Sequence, residues 1–229
     1  AASHFRRWLG ADEFINGYER WCLWLGDVPP NELRLMPEAM KRVDAVRSFR
    51  LASKSEPTRK LAATPMRFHV EHMPARPYLV IPGHTSEARK LVPIGYVPPT
   101  VLSGNANFVL TDATLFDFGV LHSTMHNAWI RATCGRLESR YRYSKDIVYN
   151  NFPWPAAPSD AQRKAIESAA QAVLDARAAF PDSSLADLYD PLAMPPPLVK
   201  AHAALDRAVD AAYVADGGKK TWASDAERV

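Results

Sequence analysis

Cysteine is scarce. Two residues, Cys22 and Cys134, are all that the 229-residue chain carries. A pair cannot build the disulfide framework of a small secreted domain, so the chain reads as a cytoplasmic protein in a reducing setting. Long apolar runs are missing too. Nothing approaches the roughly 18 to 20 residues that a membrane-spanning helix needs, and the opening AASHFRRWLG has no apolar signal core. Glycine is thin: ten residues are scattered, and the adjacent pair Gly217-Gly218 lies near the end. There is no Gly-x-x-x-x-Gly-Lys phosphate loop, no Gly-x-Ser-x-Gly elbow and no paired-acid signature, which leaves phosphate-loop and hydrolase readings without support.

What the chain does have is an uneven charge. Residues 1–155 carry 20 Lys/Arg against 14 Asp/Glu, a net +6, and residues 156–229 carry 8 against 11, a net −3. Residues 41–90 alone hold 11 basic and 4 acidic side chains. A basic middle with a mildly acidic tail points to a polyanion partner for the middle. A solvated basic surface without a partner accounts for the charge equally well.

Periodicity predicts an α+β fold, a mostly antiparallel sheet with packed helices followed by a C-terminal helical pair. RWCLWL reads as a strand. After DVPPNEL, with Asn31 as N-cap, Leu33, Met36, Met40, Val43 and Val46 keep helical spacing and leave Lys41, Arg42 and Arg47 on other faces. ASKSEPTRKLAATP reads as a linker. MRFHVEH, PYLVIP, LVPIGYV and NFVLTD read as short strands, and Leu115 to Thr133 as one helix stopped by Gly135. Residues 136–155 form an aromatic, basic connection. Two helices follow, one capped at Ser159 or Asp160 and one with apolar positions 198, 199, 205, 209 and 213. GGKKTWASDAERV reads as a frayed tail.

Two motifs suggest chemistry. Asn151-Phe152-Pro153-Trp154 is close to the Asn-Pro-Pro-aromatic tetrapeptide of amino-group DNA methyltransferases, but Phe152 stands where the first proline belongs. The chain also lacks the Gly-rich turn and βαβ alternation that hold S-adenosylmethionine, so no catalytic residue is assigned. His122 and His126 stand four apart on the predicted helix, a metal-binding spacing. The zinc-protease glutamate is replaced by Ser123, and packing is the expected role. His69 and His72 form a weaker pair, because strand alternation points them to opposite faces. No metal site is assigned.

The basic and aromatic segments carry more. Lys54, Arg59, Lys60 and Arg67 lie in a Pro-bounded, exposed stretch. Glu87, Arg89 and Lys90 lie in a loop between two strands. Arg136, Arg140, Arg142 and Lys145 interleave with Tyr141 and Tyr143. Guanidinium groups bind phosphate or read guanine, and carboxylates accept from cytosine. For the 136–145 group, structural pairing with Glu138 or Asp146 weighs equally with DNA contact.

Longer phrases complete the reading. EFINGYERWCLWL, RVDAVRSFRLASKSEPTRKLAATP, LVPIGYV and LHSTMHNAWIRATCGRLESRYRYSKDIVYNNFPWP resemble the C-terminal part of MmeI-type enzymes. These are single-chain type IIG or IIL restriction–modification proteins and related DNA adenine methyltransferases. The resemblance implies a target recognition domain over 1–157 and a helical region with a disordered tail over 158–229. It implies double-stranded DNA and the methyltransferase domain of the parent chain as partners, and no membrane. S-adenosylmethionine would belong to that methyltransferase, and no cofactor to this chain. The chain begins about where the family's methyltransferase ends. Glu87 and Arg89 are the first choice for base contact, Asn105 and Asn107 the second, and the other basic residues would position phosphates. YNNFPWP becomes a joint between recognition domain and helices. The alternative is a protein-interaction or scaffolding fragment with a basic face.

Overall fold

The computed structural model describes residues 2–71, 73–219 and 221–229. In chain order the elements begin β1 (Phe5–Leu9), α1 (Ala11–Asn16), β2 (Trp21–Leu23), α2 (Pro30–Leu33), α3 (Pro37–Leu51) and α4 (Glu56–Lys60). The strands β3 (Tyr78–Pro82), β4 (His84–Thr85), β5 (Gly95–Val97), β6 (Leu102–Ser103) and β7 (Asn107–Leu110) follow. Then come α5 (Leu115–His122), α6 (Thr124–Thr133), β8 (Gly135–Leu137), β9 (Arg140–Arg142), α7 (Asp160–Ala178), α8 (Leu185–Leu188), α9 (Pro196–Tyr213) and α10 (Asp225–Arg228). The fold is α+β, with its strands in three small sheets ordered β2-β1-β6, β5-β3-β7 and β4-β9-β8 rather than in one. Among the described residues, no helix is long and apolar enough to cross a membrane.

The chain forms two compact units. One comprises the segment ending at Trp8, Glu19–Met73 and Thr100–Leu102. Here β1 and β2 pair antiparallel, Arg6 opposite Cys22. Leu25, Leu33, Ala39 and Val43 make a small core, with Met36, Met40 and Met66 against it. Pro30 and Pro37 each open a helix, where a missing N–H costs nothing, so Asn31 lies inside α2 instead of capping a longer helix. The expected linker holds α4, which tolerates Pro57 in its first turn. Residues 66–71, MRFHVE, do not form a strand. Arg50 donates to the carbonyls of Leu61, Thr64 and Arg67 at 2.9, 3.0 and 2.7 Å, which holds the chain leading into that segment, and its Arg67 carbonyl, on a guanidinium instead of a ladder. His69 is exposed there, and His72 lies outside the described residues.

The other unit comprises Leu9–Tyr18, Pro74–Pro99 and Ser103–Val229. Its central strand β3 is buried at all five positions and pairs antiparallel with β5 and β7. Pro82 falls beyond the β5 pairing, where its missing N–H breaks no bond on that side. α7 packs against α5 and α9. Gly119 permits this approach: a Cβ there would meet Ile166 Cγ2 at 2.7 Å. Ser159 caps α7 in a reciprocal box with Gln162. Leu79, Ile81 and Phe118 share one core with Ile166, Val173 and Leu205, so residues on both sides of position 157 pack together.

Three sequence expectations change in this unit. The helix over 115–133 breaks at Ser123, which is extended (φ −74, ψ 162) and caps α6 by accepting from His126 N. The basic connection contains the β8–β9 hairpin and a π-helical turn, Lys145–Tyr149. The tail is not frayed over α10: Arg228 pairs with the nearly buried Asp210, and Arg131 with Asp225 at 2.6 Å.

Candidate nucleic-acid interface

The sheet β4-β9-β8 gathers basic side chains from the expected connection. β9 alternates exposed, buried, exposed, so Arg140 and Arg142 share one face while Tyr141 turns inward. Cross-strand pairing puts Arg142 opposite both His84 and Gly135, and Arg136 opposite Tyr141. The Arg136 guanidinium lies 4.1 Å from the Tyr141 ring centroid and donates to the Ser139 carbonyl at 2.9 Å. It also reaches Glu87 at 3.4 Å, bringing the 86–91 loop to the hairpin. Arg140 meets Glu138 at 2.6 Å, with half of the arginine side chain still in water. Glu138 takes the left-handed conformation (φ 57) that the two-residue turn requires.

A cleft of about 750 Å³ adjoins this sheet, lined in part by His84, Asn105, Arg142, Ser144, Lys145 and Asp146. Lys145 lies 3.7 Å from Asp146, both largely exposed. Backbone bonds stitch the cleft's floor: Gly83 N–H donates to Ala106 O at 2.8 Å, and Tyr143 N–H to Gly83 O at 2.9 Å. A Cβ on Gly83 would sit 2.6 Å from the Ala106 oxygen, so glycine is needed there. Asn105 is exposed at the cleft's edge. Asn107 is not: it is buried, and its amide donates to Leu9 O at 2.9 Å and to Ser103 Oγ at 3.3 Å. Its role is to hold the chain, which removes it from the base-contact set.

In the loop, Glu87 and Lys90 are exposed and Arg89 is half-buried. Burial pushes the Arg89 guanidinium pKa down, and the nearby Asp190 carboxylate offsets part of that. In the first unit, Lys60 pairs with Glu56 at 2.9 Å on the surface of α4. Arg59 donates to the carbonyls of Ser53 and Lys54 at 3.0 and 2.9 Å, and Arg67 donates to Gly26 O and Glu71. Arg59 and Arg67 therefore hold loops together, while the Lys54 and Lys60 side chains face water.

The histidines of the HSTMH segment lie on different helices and in the core. His126 donates from Nδ1 to Leu121 O at 2.7 Å, and its Nε2 lies 3.2 Å from the Tyr143 hydroxyl. His122 lies 3.0 Å from Arg177 Nη2. Arg177 also donates to Tyr189 Oη and Ile94 O, both at 2.7 Å, and Tyr189 Oη lies 2.8 Å from His202 Nε2. Burial lowers all three histidine pKa values, His126 to about 4 and His202 to about 3. Among the described residues, no group of three or more His, Cys, Asp or Glu is placed to hold a metal. In the tetrapeptide, Asn151 Nδ2 donates to the Asp146 and Ile147 carbonyls, closing the π-helical turn. Phe152 is buried against His126 and Trp154, and Pro153 O accepts from the Tyr213 hydroxyl at 2.8 Å. The motif is a packed joint.

Sequence reasoning missed His84 and Ser144, which line the cleft, and Arg131, which bonds the loop backbone. Ser144 adjoins Lys145 in the sequence, whereas only the fold brings His84 opposite Arg142 and Arg131 to the Lys90 carbonyl.

Two family models cover the chain: the MmeI target recognition domain over residues 1–156 and the MmeI C-terminal domain over 157–229. The curated DNA methyltransferase A of Bacillus subtilis (strain 168) is 36% identical over 226 residues, covering 99% of this chain and 25% of that protein. The type IIL restriction–modification enzyme MmeI, solved in complex with DNA, is 49% identical with a TM-score of 0.93, covering 99% of this chain and 30% of that one. The chain thus spans less than a third of the length of either.

Proposed function

The chain belongs to the MmeI family, joining its target recognition and C-terminal domains, and from that premise we propose that it reads duplex DNA sequence for a methyltransferase. One observation carries the proposal. Glu87, Asn105, Arg136, Arg142 and Lys145, distant in sequence, gather around the sheet β4-β9-β8 and its cleft. Exposed guanidinium and ammonium groups there suit phosphate oxygens, and a carboxylate beside them suits a base amine. Glu87 and Arg89 are the base readers, and Asn105, at the cleft with Arg142 and Lys145, is the second choice. Arg140, Arg142, Lys145 and Lys90, and in the first unit Lys54 and Lys60, contact phosphates. Arg136 orients Glu87.

The chemistry belongs elsewhere. S-adenosylmethionine would be held by the methyltransferase domain of a longer parent protein, in the reducing cytoplasm.

The test is fluorescence anisotropy of the 229-residue chain with a randomised pool of labelled duplexes at two salt concentrations, followed by sequencing of the retained fraction. Enrichment of a short motif, lost in Glu87→Ala and Arg89→Ala, is expected. Salt-sensitive binding with no motif enriched would reduce the protein to a phosphate clamp. No binding at low salt would leave the scaffolding alternative.

A further inference from the structure

The loop that carries Glu87, Arg89 and Lys90 is pinned by its backbone. The Lys90 carbonyl accepts from Arg131 Nη1 at 2.6 Å, and Val92 N–H donates to Asn127 Oδ1 at 2.7 Å. Both pins come from α6, four residues apart and so from one face of the helix. Each is set in turn by the C-terminal region. Asp225 of α10 accepts from Arg131 Nε at 2.6 Å. Asp206 of α9 accepts from the backbone N–H and the hydroxyl of Thr124, both at 2.7 Å, which fixes the start of α6.

Beside the loop is a cavity of about 620 Å³, lined by Arg89, Leu91, Val199, His202 and Asp206 among others. Arg89 Nε is buried and has no hydrogen-bond partner. The loop therefore has firm backbone pins and loosely filled space next to its side chains. A loop released from its pins has room to settle, carrying Glu87 and Arg89 out of register with a base pair. A shift of that kind leaves Arg140, Arg142 and Lys145 in place for phosphates, while Lys90 moves with the loop.

We infer that Asp225, acting through Arg131, is a positioning residue for DNA selection, holding the 87–90 backbone where Glu87 and Arg89 meet base edges. This rests on the reading of those two residues as base readers. It gives the C-terminal region a part in specificity although none of its own side chains need touch a base.

The experiment compares Asp225→Ala and Asp225→Glu with the unchanged 229-residue chain. Anisotropy is read on the enriched duplex and on a scrambled duplex of equal length, alongside thermal midpoints and amide exchange at Val92. Asp225→Ala should cut the ratio of the two affinities roughly tenfold, the scale of one good base contact, and speed exchange at Val92. Binding to the scrambled duplex should fall far less, by no more than the share of one phosphate contact at Lys90, and Asp225→Glu should restore the ratio. An unchanged ratio, or equal losses on both duplexes that follow the thermal midpoint, overturns the inference and leaves Asp225 as a tether for α10. An unchanged chain with no sequence preference overturns the base-reading premise itself, a result distinct from a preference that survives Asp225→Ala.

Discussion

The β8–β9 hairpin and the helical core around Arg177 use arginine in opposite ways. On the hairpin, Arg140 is half in water and faces a mostly exposed Glu138. In the core, Arg177 gives Nε to Tyr189, Nη1 to the Ile94 carbonyl and Nη2 to His122, and it lies near the Phe118 and Tyr189 rings. The first arginine keeps donors in water, as a phosphate contact would require, and the second has committed them to the fold. Counting basic residues says little about binding. What matters is whether their donors still face water.

Acid should break the core and spare the hairpin. His122, His126 and His202 are held neutral by burial, and Arg177 further opposes their protonation at His122 and His202. The unfolded chain takes up those protons near pH 6.5, so stability is full above that pH and is lost as pH falls toward 4 and 3. At pH 5, His126 and His202 should each contribute about 2 kcal/mol less than at pH 7.5. Urea unfolding at the two pH values checks this, and a flat profile would sink it.

Arg177→Met sharpens the contrast. It strands the Ile94 carbonyl and removes one of the Tyr189 hydroxyl's two bonds, leaving the one to His202, so a loss of about 2–4 kcal/mol is expected in the same unfolding assay. DNA affinity of the folded fraction should not change. The mirror experiment is smallest in stability: Arg140→Ala with Arg142→Ala should move it by no more than about 0.5 kcal/mol. The slope of log affinity against log salt should fall by up to about 2. A double variant that unfolds but binds normally would reverse the assignment of the two regions.

Local chemistry made part of this fold legible. β3 announced itself as an apolar run between prolines, and α7 as an alanine-rich run with a cap at Ser159 or Asp160, of which Ser159 is the one the structure uses. Where a side chain competed with the backbone, pattern alone failed. Ser123 broke a helix whose apolar spacing ran straight through, and Arg50 took the Arg67 carbonyl of the expected strand together with those of Leu61 and Thr64 before it. The candidate site divides the same way. That Arg136 and Arg142 lie near a polar surface could be read from composition. That Asn107 is spent on Leu9, or Arg67 on Gly26, depends on contacts between residues 98 and 41 positions apart. Periodicity does not encode those contacts.

The position of β8 at the end of the order β4-β9-β8 has a consequence for self-association. Its outer edge presents peptide groups that another strand could pair with, the usual route to edge-to-edge aggregation. Three residues make a poor template, and Arg136 at their centre, with Glu138 and Arg140 at the turn, places charge along that border. The same guanidinium groups that suit a polyanion thus act as gatekeepers while none is bound. Neutralising them for tighter crystals or cleaner spectra would invite the sheet to grow from one molecule into the next.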